Sequence, residues 1–306
     1  MIETRYLQYF LAVAKELNIT RAAESLHISQ PTLSKQMMDL EDSLGCKLFI
    51  RNKKQLELTE DGLYLRSRAQ EMMELMAKTE SAFSKKEGTI SGDIYIGCAE
   101  TPGVDMIIKT YEKLKKEYPD IRLHLYSGDA GLVMERLEKG LDDFGLVLSP
   151  RQIEKFDYHY TGHSDPFGIL MRKDDAMARL DSVPIDMLYD LPLFISHQTW
   201  TTDRPIKWNG LDYKKLNITA TFNLIYNASY LVENRLGYAI TTGGKLIPES
   251  DDRSLTFRPL DPELFMDLYF VTKKYHTYSP AAALFMDEFL KLQYHHLSPF
   301  STVANI

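Results

Sequence analysis

The sequence predicts an α/β protein that opens with an all-α-rich, winged domain. Three observations carry this. Apolar residues recur at helical spacing in short runs as far as Leu44. One long helical pattern then covers residues 59–86. Beyond the polar, glycine-containing stretch KKEGTISGD, Lys85 to Asp93, strand-like and helix-like segments alternate.

The first segment reads as helices in sequence order. Tyr6, Leu7, Phe10, Leu11, Ala14 and Leu17 make one apolar face. Thr20 is expected to cap a second helix that runs through Leu26. Ser29 is expected to cap a third, with Pro31 in its first turn, where a missing N–H costs nothing. Leu33, Met37, Leu40 and Leu44 form that helix's buried stripe, and Gly45 stops it. KLFI and LEL flank the polar turn Asn52 to Gln55, which predicts a small hairpin. Thr59 caps a fourth helix, with Glu60 and Asp61 at its positive end. Leu65, Ala69, Met72, Met76, Thr79 and Phe83 are spaced as a heptad-like seam. Such a seam needs a partner, either the rest of its own chain or the same helix of a second copy.

After the linker, DIYIGCA, IRLHLYSG and DFGLVLS read as strands, with helices between them. This order implies parallel α/β units. The alternation continues more loosely through FGILMRK, DLPLFISHQ and LGYAITTGG to a late strand, LYFVTKK, and a final helix, PAAALFMDEFLKLQYHH.

The bulk numbers set limits. A chain of 306 residues suggests two domains, and 44 % apolar with 26 % charged residues is ordinary for a globular protein with buried cores. No apolar run is long enough for a bilayer, so no membrane partner is expected. The N-terminal MIETRYLQYF has no signal-peptide pattern, and Cys46 and Cys98 make a poor disulfide framework. A cytoplasmic location is the expectation. The net charge of −7 by itself argues against nucleic acid. Between Ser43 and Leu56, however, the only charged residues are Lys47, Arg51, Lys53 and Lys54. Screening over about 8 Å lets such a patch hold phosphates on an acidic protein.

Two short helices joined by a tight polar turn fit a helix-turn-helix, whose second helix enters the major groove of double-stranded DNA. Gln30, Pro31, Thr32, Ser34, Lys35 and Met38 sit on its outer face. Gln suits adenine, Lys suits guanine, and Ser or Thr suits bases or phosphates. The hairpin would act as a wing, with Arg51, Lys53 and Lys54 reaching the backbone or minor groove. A plain three-helix bundle with a solvated polar face fits the spacing equally well.

A longer series of residues bears on that choice: Ala22-Ala23, Leu26, Ser29-Gln30-Pro31, Leu33-Ser34-Lys35-Gln36, Leu40-Glu41, Leu44-Gly45, Leu48-Phe49, Arg51, Leu58-Thr59 and Gly62. This series resembles the N-terminal domain of LysR-type transcriptional regulators, and the layout of the later segments resembles the rest of the family. One departure is Lys35, where the family usually has Arg; lysine is a point charge and not a bidentate fork.

The resemblance implies a winged helix-turn-helix over 1–58, a linker and dimerisation helix over 59–87, a hinge at 88–92 and an effector-binding domain over 93–306. It also implies a two-lobed α/β domain like the type 2 periplasmic binding proteins. Lobe one would take about 93–163 and 267–300, and lobe two about 164–266. The implied function is sequence-specific DNA binding by a homodimer or homotetramer. It would be controlled by a small-molecule co-inducer between the lobes. The alternative is a cytoplasmic small-molecule binding protein without specific DNA binding.

The cleft would lie at the ends of parallel strands, where open α/β sheets place ligands. Glu100 and Thr101 follow the first strand and open a helix. Glu100 would favour an amine or hydroxyl, and simple helix capping accounts for it as well. Ser149 ends another strand; Ser196, His197, Thr199 and Trp200 follow a lobe-two strand; Thr242 follows the next. Hydroxyls, a His and an aromatic suit a small polar metabolite, although each alone is an ordinary loop residue. No nucleophile elbow, phosphate loop or zinc set is present, so no enzyme, cofactor or metal is expected.

Overall fold

Asn18, not Thr20, starts the second helix. Its side-chain oxygen accepts the N–H groups of Thr20 and Arg21, at 2.9 and 3.0 Å. Asn and Thr both cap well, and here the extended backbone falls on Asn18. The computed structural model describes residues 2–51, 56–83, 90–149, 153–201, 211–242 and 254–297. They fall into two units, Met1–Phe83 and Ser84–Ile306.

In the first unit α1 spans Thr4–Glu16, α2 Ile19–Ser25 and α3 Gln30–Leu44. Strands β1, Phe49–Arg51, and β2, Leu56–Leu58, pair antiparallel, and α4 runs Glu60–Phe83. Phe10, Val13, Ala22, Leu33 and Leu40 are fully buried at the centre. Ala22 and Ala23 have no bulk to keep α2 from its neighbours. Leu17 and Leu44, expected inside, are 44 % and 36 % exposed. Both lie where a helix ends: Leu17 is the left-handed C-cap of α1, and Leu44 precedes Gly45, which takes φ 68° as the C-cap of α3. The chain turns away there, so periodicity no longer predicts burial.

The wing is fastened from two sides. Glu41, buried in α3, accepts the backbone N–H groups of Leu48 and Phe49, at 2.9 and 3.2 Å, and the Lys47 ammonium at 2.7 Å. Burial pushes its carboxyl up, but Lys47 and the two N–H groups outweigh it and leave the group below the ordinary glutamate value. Thr59 donates to the carbonyl of Lys47 and accepts the N–H of Gly62, at 2.7 and 2.9 Å. A Cβ on Gly62 would stand 2.2 Å from the carbonyl oxygen of Leu48. Only glycine lets α4 lie this close to the wing.

The second unit is built on one sheet. Its strands are β3 (Gly92–Cys98), β4 (Ile121–Ser127), β5 (Phe144–Leu148) and β6 (Phe156–Arg172), then β7 (Val183–Pro184), β8 (Leu193–Ser196) and β9 (Ile218–Phe222). They continue with β10 (Tyr238–Thr242), β11 (Leu255–Asp261) and β12 (Phe265–Lys273). The helices are α5 (Asp105–Glu117), α6 (Ala130–Lys139), α7 (His197–Thr201), α8 (Ile225–Glu233) and α9 (Pro280–Leu297).

The order along the sheet is β4-β3-β5-β12-β6-β10-β8-β9. β3 is parallel to β4 and β5, and β8 is parallel to β9 and β10. β12 and β6 are antiparallel to each other and join these two parallel groups. The expectation of parallel units therefore holds for each group but not for the strands between them. FGILMR, Phe167–Arg172, is the end of a 17-residue strand. Its first half, FDYHYTGHSD, mixes polar and aromatic residues and carries no apolar run.

Lobe one has a core of Ile94, Ile96, Phe144, Phe270, Phe285 and Phe289, with the rings of Phe270 and Phe289 stacked at 4.1 Å. Lobe two buries Ile169, Met171, Leu188, Leu193 and Ile240. β6 and β12 pass through both lobes. Where they cross over, Gly162 takes φ 79° and the register shifts between Asp267 and Tyr269. Thr161, buried within this bulge of β6, donates to the carbonyl of Leu268 at 2.9 Å.

Candidate functional site

The outer face of α3 begins at a well-made helix start. Ser29 accepts the N–H of Thr32 at 3.3 Å and shares a 2.7 Å hydrogen bond with its hydroxyl. Pro31 lies in the first turn. Gln30, Pro31, Thr32, Lys35 and Met38 are exposed and Ser34 is half-buried. The inner face, Leu33, Met37 and Leu40, is buried. The first turns of the helix thus present an amide, a hydroxyl, an ammonium and a thioether outwards, with the positive helix end among them. The Thr32 hydroxyl is already engaged with Ser29, which leaves Gln30, Ser34 and Lys35 as the polar groups best placed to read. Arg51 closes β1 and its backbone pairs with Leu56; its side chain lies outside the described residues, as do Lys53 and Lys54.

In the second unit β3 leads through the loop 99–104 to α5, β8 runs directly into α7, and β9 leads to α8, which packs against β10. Thr101 is 2 % exposed. Its hydroxyl donates to Asp165 at 2.5 Å and accepts the N–H of Gly103 at 3.1 Å. That hydroxyl is committed to the scaffold, which corrects the expectation that it would face a ligand. Asp165, also buried, accepts on its other oxygen from His163 at 2.9 Å. Ser164 donates to Asp267 at 2.6 Å, and the Ser149 N–H donates to the Asp267 carbonyl at 2.7 Å. The loop after β3 is thereby tied to the strands that cross between lobes.

Glu100 is half-buried. Burial pushes its carboxyl up from the ordinary value, opposed by the backbone N–H of Ile225. Ser149 is exposed at φ 36°. Ser196, Thr199 and Thr242 are half-buried; His197 and Trp200 are exposed, Trp200 at 44 %. Three participants were not anticipated: His163 and Asp165 on β6, and Gln198 on α7, whose side-chain oxygen accepts the N–H of Ala130 at 3.2 Å. Gln198 lies between His197 and Thr199, and only the fold shows that it reaches the start of α6.

Among the described residues no three His, Cys, Asp or Glu side chains gather as a metal site. No helix there is long and apolar enough to cross a membrane. Burial, with Asp142 nearby, pushes the Cys98 thiol up to about 12, so it carries no thiolate at neutral pH.

Comparison with known proteins agrees with this layout. The family described as bacterial regulatory helix-turn-helix protein, lysR family, matches residues 4–63, and the LysR substrate binding domain matches residues 87–293. The chain is 29 % identical over 203 residues to the HTH-type transcriptional regulator AlsR of Bacillus subtilis, covering 66 % of this chain and 67 % of that protein. It is 33 % identical over 159 residues to the Hca operon transcriptional activator HcaR of Escherichia coli, covering 51 % and 53 %. In fold it is similar to CbnR crystallised with its target DNA, with TM-score 0.74, 18 % identity and coverage of 95 % of this chain and 99 % of that one.

Proposed function

The chain belongs to the lysR family of bacterial regulatory helix-turn-helix proteins, and we propose from that premise how its own residues recognise DNA and effector. As a member it is a DNA-binding transcriptional regulator with an effector-binding domain. We assign base reading to Gln30, Ser34 and Lys35 at the start of α3, and phosphate contact to Arg51, Lys53 and Lys54 of the wing. Pro31, Thr32 and Met38 complete the contact face. α4 pairs with its counterpart in a homodimer: Met72, Met76 and Phe83 of its seam are 51 %, 37 % and 78 % exposed in the single chain. A homotetramer built from such dimers follows the same reading. The effector sits between the lobes, near Glu100, Ser149, Ser196, His197, Thr199, Trp200 and Thr242. The reading needs no resident cofactor, no catalysis, and a cytoplasmic setting. A binding protein without specific DNA recognition is not favoured, because it leaves the capped, outward α3 face without a use.

That exposed face is the observation that carries the proposal. The test is a gel shift on the DNA upstream of the neighbouring gene, over a range of salt. Ser34→Ala and Lys35→Ala should each weaken specific binding by roughly 1–3 kcal/mol. Arg51→Ala should lower the salt slope by about one. Wild-type binding in all three variants would sink the contact assignment.

A further inference from the structure

The turn between α2 and α3 holds a histidine where a glycine would sit more easily. His27 takes φ 55°. The N–H of Ile28 reaches back to the carbonyl of Ala23 at 3.0 Å, and the N–H of His27 to that of Glu24 at 3.1 Å. Leu26 is the C-cap of α2, so these two bonds close the helix in the way that puts the next residue in the left-handed region. Glycine is the usual occupant, because it has no Cβ to crowd the following carbonyl. At the end of α3 the left-handed position is indeed Gly45. Histidine accepts this backbone better than most residues, but less well than glycine.

Within the single chain the side chain has no use. Leu26 and Ile28, on either side of it, pack on the domain core, while His27 is exposed. Its imidazole makes no hydrogen bond, ion pair or ring contact with any described residue. A side chain kept where the backbone favours its removal points to a role outside the chain. Its place suggests the partner. His27 is two residues from Ser29, the cap of α3, so their Cα atoms are within about 7 Å. In a helix-turn-helix the first helix crosses the DNA backbone and the second enters the groove. The turn between them passes the groove edge, where the phosphates lie. An imidazole has an N–H to donate in either tautomer.

We infer that His27 is a further DNA contact, donating an N–H to a phosphate oxygen at the rim of the groove that α3 enters. The inference rests on reading α3 as the DNA-facing helix. It adds a group that positions this helix without reading sequence.

The test is a gel shift with the full chain, on the DNA upstream of the neighbouring gene and on a random duplex of equal length. His27→Gly and His27→Ala both remove the imidazole, but only glycine relieves the backbone. Each should weaken binding to both duplexes by the same factor, roughly three- to tenfold. Amide exchange in α2 and α3 should be no faster in His27→Gly than in wild type, so that binding falls while the fold holds. Leu17, at the end of α1, is left-handed too and has no donor; Leu17→Gly should bind DNA as wild type does. If one His27 variant loosens the turn, the other decides. Wild-type affinity in His27→Ala overturns the inference, because the loss in glycine then belongs to the backbone. A loss confined to the upstream DNA overturns it as well, by making His27 a base reader. Lys35→Ala, run alongside, separates the two readings. If it weakens binding and the His27 variants do not, only the His27 contact falls; if none of them does, the DNA-facing role of α3 falls with it.

Discussion

The face of α3 and the cleft of the effector domain solve opposite problems. On α3 the recognition groups point to solvent, and the polar bonds that shape the face are short in sequence, as in Ser29 to Thr32. In the cleft the polar groups are already spoken for, by residues far along the chain: Thr101 by Asp165 and Ala130 by Gln198. The first surface is rigid and waits for a partner. The second, where we propose that the effector binds, is held by its own bonds. A DNA reader gains from being preformed, whereas a sensor needs a contact it can lose.

The most disruptive test of this contrast is Gly62→Ala. A Cβ there meets a backbone carbonyl that cannot move without the wing. We expect a loss of roughly 3 kcal/mol, seen as accelerated amide exchange in β1, β2 and α4 and as lost DNA binding. Unaltered exchange would show that the wing is looser than its bonds imply.

Next is Asp165→Leu, which strips acceptors from both Thr101 and His163 in a buried site. About 2–3 kcal/mol should be lost, with faster exchange confined to the loop after β3 and the β6 crossing. Spread into β1 and β2 would erase the distinction drawn here.

Glu41→Gln should have the smallest effect, about 1–2 kcal/mol at neutral pH by denaturant unfolding. Its sign with pH follows from the depressed carboxyl. Stability from ionised Glu41 is fully present above the unfolded-state glutamate pKa and is lost as pH falls through the lower folded value. The gap between wild type and Glu41→Gln should therefore close in acid. A gap that widens in acid would mean that Glu41 is not the wing's anionic anchor.

The same contrast explains what could be read from the sequence. Caps at Ser29, Gly45 and Thr59 are written within three or four residues of the bonds they make, so they were legible. The hairpin was legible too, as two apolar runs around a polar turn. Asn18 is not distinguishable by type alone from Thr20, two residues on, because both side chains can cap a helix. Glu41 reads as one more charge on a helix; its burial depends on where the wing returns. In the cleft, Thr101 looked like a ligand hydroxyl because its acceptor is 64 residues away. The first half of β6 was invisible for a similar reason: its partner β12 comes about a hundred residues later, and its own pattern is polar.

The crossing strands carry one more consequence. Because β6 and β12 remain hydrogen-bonded to each other as they pass from lobe to lobe, the lobes cannot swing apart as if on a loose tether. Relative motion has to be absorbed as torsion in a two-stranded ribbon, at the β6 bulge that contains Gly162. Such a ribbon is stiff in bending along its ladder and softer in twist. Motion of one lobe against the other is then best measured as an angle and not as an opening distance.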